Sequence, residues 1–117
     1  MAPKELARQI TKVLDKKKAE DIKVIEISEL TIVADYFVIA SGTSSTHTKA
    51  LVDDVDFEMS KLGVEPARIE GKATGWILMD YGSVLVHVFQ KESREYYNLE
   101  RLWSDAVTMD ISDILTD

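Results

Sequence analysis

The chain has no cysteine among its 117 residues, which excludes a disulfide framework and any thiolate metal centre. It contains only two prolines and five glycines, and no repeat or low-complexity segment interrupts it. Its apolar runs all fall short of the ~18 residues that would span a bilayer. The start, Met1-Ala2-Pro3-Lys4-Glu5, offers neither a secretory apolar core nor an Arg-rich transit character, so a cytoplasmic location is expected. Basic residues are outnumbered, 14 Lys and Arg against 21 Asp and Glu, giving a net charge of −7. Phosphate recognition needs clustered cations, so little or no direct nucleic-acid binding is expected. The acidity suits a basic protein partner and equally suits solubility alone.

What is present points to one domain with a single core. Gly75 to Phe89 holds two apolar runs flanking Asp80-Tyr81-Gly82-Ser83, the pattern of a β-hairpin. A two-residue turn at Gly82-Ser83 pairs Met79 with Val86 and Ile77 with Val88. Ile77, Met79, Val84, Val86 and Val88 then share one core face, with Tyr81 near the turn. The other face carries Trp76, Leu78, Asp80, Leu85, His87 and Phe89, which is too apolar for a solvated surface.

Elsewhere, Pro3 and the spacing of Leu6, Ile10, Val13 and Leu14 predict a helix over 3–18. Strands are expected at 22–27 and 37–40, the second buried on both faces. Ser44, Ser45 or Thr46 caps a helix bearing Ala50, Leu51, Val55, Met59 and Leu62 on one stripe and stopping at Gly63. A short edge strand follows at 66–70. Ser93 is expected to cap a last helix with Tyr96, Leu99, Leu102 and Trp103 on one stripe. The end of the chain, with four Asp from Ser104 onward and no basic residue, reads as a marginal helix or an unpacked tail. The order predicts an α/β (α+β) fold with a mixed sheet of about five strands, one face helix-covered and part of the other open.

One enzymatic pattern is present. Gly42-Thr43-Ser44 opens a helix, and Asp54-Val55-Asp56 follows about a dozen residues later, as in metal-dependent nucleotidyltransferases. Those carboxylates must converge on one metal. On a helix, residues i and i+2 point about 200° apart, so Asp54 and Asp56 do not. His47 and His87 are the only histidines, and no nucleophile–base constellation or Gly-rich dinucleotide fingerprint is recognisable. No catalytic residue, metal ligand or cofactor is assigned. Trp76, Leu78 and Phe89 around Asp80 instead have the composition of a protein interface, with the acid able to hold a partner's Arg or Lys. Cover by the chain's own last helix, or a dimer contact, explains the same face.

Four segments together resemble a known family. They are Asp35-Tyr36-Phe37-Val38-Ile39-Ala40-Ser41-Gly42-Thr43-Ser44, Arg68-Ile69-Glu70-Gly71, the hairpin from Gly75-Trp76 through Val86-His87-Val88-Phe89, and Arg94 to Trp103 with Tyr97, Leu99, Glu100 and Leu102. In order and register they are similar to the ribosomal silencing factors (RsfS, or Iojap), over roughly residues 3–105. The resemblance implies a nucleotidyltransferase-like fold without that activity, usually a homodimer. It implies binding to the large-subunit ribosomal protein L fourteen, which blocks joining of the small subunit and so represses translation. It places partner binding at Trp76, Leu78, Asp80 and Tyr81, with Glu70 and Gly71 beside them. Ser83 stands where the family commonly has Asp, and His47 where Gln is common. Residues 1–105 are taken as the domain and 106–117 as an acidic tail. The alternatives are a nucleotidyltransferase-type enzyme using the Gly42 loop and a dimeric scaffold for another partner.

Overall fold

A computed structural model describes residues 1–71 and 75–116. The hairpin lies near the middle of a six-stranded sheet ordered β3-β4-β5-β2-β1-β6. In chain order the strands are β1 Glu20–Glu26, β2 Tyr36–Gly42, β3 Arg68–Glu70, β4 Trp76–Asp80, β5 Val84–Gln90 and β6 Val107–Thr108. Only β2 and β5 run parallel; every other neighbouring pair is antiparallel. The sheet is mixed as expected, with one strand more. The hairpin register is the expected one, with Met79 opposite Val86 and Ile77 opposite Val88. Gly82 takes the left-handed conformation the turn requires, φ 83°, and the Tyr81 amide donates to Val84 O at 3.0 Å. β2 sits between β5 and β1 and is buried along its whole length, as its unbroken apolar run predicts.

Two long helices seal one face of the sheet. In α1, Pro3–Lys16, the buried stripe is Leu6, Ala7, Ile10, Thr11 and Leu14. The helix stops earlier than its periodicity predicts because Lys18 turns left-handed, φ 67°, and the Ala19 amide reaches back to Leu14 O. α2, Ser45–Lys61, is capped by Ser44, whose side chain accepts from the His47 amide at 3.0 Å. It ends in a Schellman motif: Gly63 N–H donates to Ser60 O, Val64 N–H donates to Met59 O, and Gly63 has φ 78°. Leu51, Val52, Val55 and Met59 face the sheet, whereas Ala50 and Leu62, expected on that stripe, are exposed. The buried arc of a helix against a sheet is narrower than the run of apolar residues.

The last helix is broken. α3, Lys91–Tyr97, begins after Gln90 rather than at Ser93, and Asn98 turns left-handed, φ 46°, before the short α4, Leu99–Leu102. The break leaves Leu99 buried and rotates Tyr96 and Leu102 into solvent, so the expected four-residue stripe does not exist. Nor is the C-terminal segment unpacked. Val107–Thr108 add to the edge of β1, Ile111 and Ile114 are buried in the α1/α2 core, and Arg8 pairs with Asp113 at 2.5 Å. An edge strand that short carries too little alternation to be legible.

Candidate protein-docking face

β4 projects Trp76, Leu78 and Asp80 to the same side of the sheet, opposite α1 and α2. Direct pairing aligns Glu70 of β3 with Leu78, and Arg68 with Asp80, so these residues share the face. Trp76, Leu78 and Asp80 are half-buried, and Glu70 and Gly71 are exposed. α3 and α4 cover β5, β2 and β1 through Leu99 and Trp103, and run out before β3. The open margin is thus a strip of indole and leucine edged by carboxylates.

Trp76 is built in from both sides. Its ring stacks on Phe89 at 5.0 Å and meets Tyr97 at 4.8 Å. Its indole N–H donates to His87 Nδ1 at 3.1 Å. An indole only donates, so Nδ1 is the acceptor and the His87 proton resides on Nε2. Nε2 is buried and has no hydrogen-bond partner among the described residues. Burial among aromatic rings pushes the His87 pKa down to about 4. His87 is therefore a neutral packing residue that anchors the indole.

Asp80 accepts from the Gly82 amide at 2.8 Å and lies 3.4 Å from Arg68 Nε. Arg68 also lies 3.6 Å from Glu70. One exposed guanidinium is shared between two carboxylates, a local pairing that sequence reasoning missed although the strand register implies it. Tyr81 stands apart from this group. It packs on the α1/α2 side, its hydroxyl is buried without a partner among the described residues, and burial then Asp56 and Glu65 raise its pKa. The structure brings Trp76, Leu78, Asp80 and Glu70 together on one face, with Gly71 at the end of β3, and separates Tyr81 from them.

A second network fixes the cover. Buried Arg94 donates to Ser41 Oγ at 2.8 Å and holds both Glu100 oxygens, at 3.1 and 3.3 Å. Burial by itself would raise the Glu100 pKa, but Arg94 and then Lys23 outweigh it and hold it low. The arginine thus ties α3 and α4 to the end of β2. Another feature outside the sequence reasoning is the β1–β2 connection, where Leu30, Ile32 and Val33 are all exposed.

The Gly42 loop is closed on itself. The Thr43 amide donates to His47 Nδ1 at 2.9 Å, and the other ring nitrogen meets Lys17 O at 3.2 Å. A Cβ on Gly42 would lie 2.7 Å from the Thr48 side chain, so close packing of the first α2 turn accounts for this glycine. Asp54 and Asp56 lie within α2, and no group of three or more His, Cys, Asp or Glu suited to a metal occurs among the described residues. Among those residues, no helix is long and apolar enough to cross a membrane.

The chain is similar to known proteins over its whole length. The family model described as "Ribosomal silencing factor during starvation" matches residues 1–117, including the C-terminal segment. The chain is 35% identical over 117 residues to the ribosomal silencing factor RsfS of Halalkalibacterium halodurans, covering 99% of this chain and all of that protein. It is 37% identical over 112 residues to the RsfS of Bacillus subtilis, covering 95% of each. A mouse protein named "Mitochondrial assembly of ribosomal large subunit protein 1" is 38% identical over 99 residues, 81% of this chain and 43% of that protein. A crystal structure of a Chromobacterium violaceum protein superposes with a TM-score of 0.86 at 32% identity, covering 89% of this chain and 88% of that one.

Proposed function

Because the chain belongs to the ribosomal silencing factor family, we propose that it is a ribosome-associated regulator of translation whose β3–β4 margin docks on the large subunit. The partner in this reading is ribosomal protein L fourteen. The body of the domain occupies space that the small subunit needs, so repression requires affinity and placement and no chemistry. The observation that carries the reading is the open strip of Trp76 and Leu78, flanked by Glu70 and Asp80, with Arg68 the one cation between them among the described residues. Apolar anchors rimmed by two carboxylates that share one described guanidinium fit a cationic protein surface. The net charge of −7 adds long-range attraction to such a partner and repels phosphate. The reading includes a cytoplasmic homodimer, for which exposed Leu30, Ile32 and Val33 offer aliphatic surface.

The test is sedimentation of the protein with isolated large subunits through sucrose, followed by addition of small subunits. The wild-type chain is expected to travel with large subunits and to reduce joined particles. Leu78→Ser is the informative variant, because Trp76 also supports the fold through Phe89, Tyr97 and His87. Loss of a central apolar contact should weaken binding by roughly tenfold. Asp80→Lys should weaken it further in low salt. Unchanged co-sedimentation of both variants would remove this face from the interface.

A further inference from the structure

α1 and α2 pack side by side on the same sheet face, but their solvent sides differ. α1 exposes no large apolar side chain, whereas α2 exposes Phe57, at 63%, in its C-terminal half. Helical spacing puts Ala50, Asp53, Asp54 and Lys61 around that ring. Ala50 is exposed and small, leaving a shallow seat about two turns before the phenyl ring. Asp53 and Asp54 make no hydrogen bond or ion pair among the described residues. The ring already receives a cation, Lys61 Nζ, 5.0 Å from its centroid, while the same ammonium lies 3.4 Å from Glu58.

We infer that the outward face of α2 is a second docking surface, and that its occupant is a basic polypeptide segment of another protein, rich in Arg and carrying an apolar side chain. An arginine would lie flat on Phe57 in place of Lys61, with neighbouring cations on Asp53 and Asp54 and the apolar residue over Ala50. Charge decides the class of partner. Nucleic acid is repelled by the Asp53 and Asp54 carboxylates, and a second copy brings a net charge of −7 to an acidic face. α2 lies across the sheet from Trp76, Leu78 and Asp80, so the two surfaces point in opposite directions and this one does not depend on the hairpin reading.

The experiment is a titration of the isotope-labelled full chain with a short synthetic peptide of Arg-Arg-Leu repeats, with a Glu-Glu-Leu peptide as control, followed by backbone amide shifts. Saturable shifts centred on residues 50–61 are expected with the basic peptide alone, weakening with added salt. Phe57→Ser should weaken binding roughly tenfold, and Asp53→Lys with Asp54→Lys should abolish it. Both variants alter exposed or half-exposed side chains and should melt with the wild-type chain. Leu78→Ser should leave the peptide affinity unchanged, which separates failure here from failure of the ribosomal reading. Shifts centred on β3 and β4, equal binding of the acidic peptide, or no saturable binding would each overturn the inference. Concentration-dependent shifts at 50–61 without peptide, lost in Phe57→Ser, would also overturn it by making a second copy the occupant.

Discussion

The two faces of the sheet are covered by different means. On one, Ile77, Met79, Val84, Val86 and Val88 lie at 0–1% exposure beneath two long helices. On the other, the neighbouring positions of the same hairpin lie under helices of seven and four residues broken at Asn98. That shorter cover reaches Leu85, His87 and Phe89 and leaves Trp76, Leu78 and Asp80 half-open. A strand alternates its side chains, so one sequence run can serve a sealed core and an accessible surface at adjacent residues. The boundary between stability and recognition therefore passes along β4 itself.

Adjacent residues make the sharpest test of that boundary. Met79→Ala opens a cavity in the sealed core and should cost about 2–5 kcal/mol in denaturant unfolding. Leu78→Ala removes a half-buried side chain and should cost only about 1 kcal/mol, while its effect appears in large-subunit binding. Equal losses of stability at the two positions would mean that the second face is as closed as the first.

The less covered face also holds the one buried histidine, and pH reads it. Burial lowers the folded His87 pKa from 6.5 to about 4, so the unfolded chain takes up the proton first as pH falls. The stabilisation from the neutral ring is complete above about pH 6.5 and is lost progressively down to about pH 4. The full amount is roughly 3 kcal/mol at 1.36 kcal/mol per pKa unit. His87→Gln can still accept from Trp76 and does not titrate. Its stability should fall less than that of the wild-type chain over this range, carboxylates common to both cancelling in the difference. Parallel pH profiles would place His87 in contact with water.

Much of this arrangement is legible in the sequence because it is written in local pattern. The hairpin register follows from one turn and a period of two, and the burial of β2 follows from an apolar run too short for a helix. The cover was legible only as a helix, because nothing in Tyr96–Tyr97–Asn98–Leu99 marks the left-handed residue that splits it. Asn tolerates that conformation without demanding it. Arg68 and Glu70 are two residues apart on one strand, but the pairing of Arg68 with Asp80 crosses strands and becomes visible only once β3 is placed beside β4. Ile111 and Ile114 are buried by α1, at the other end of the chain, so their local spacing said little.

Tyr81 gives a smaller effect that sharpens the same division. Its hydroxyl is buried on the sealed side without a partner among the described residues. Tyr81→Phe removes an unsatisfied polar group at nearly constant shape and should leave stability unchanged or raise it by up to about 1 kcal/mol. Large-subunit binding should not change. A drop in binding with stability intact would bring the hydroxyl to the interface and move the docking face around the hairpin turn.

The smallest expected effect is at Arg68, and its sign carries the information. Its side chain is 61% exposed, and exposed pairs of this kind contribute about 0–1 kcal/mol, so Arg68→Ser should barely alter folding. Removing the guanidinium leaves Glu70 and Asp80 without an ion-pair partner among the described residues beside Leu78. If the strip receives a cationic protein, association should accelerate a few-fold in low salt and the gain should vanish as salt screens it. An RNA surface would give the opposite result, because Arg68 would then be the residue reaching phosphate and its loss would slow association. One substitution on the open margin thus separates a protein partner from a nucleic-acid partner without disturbing the core behind it.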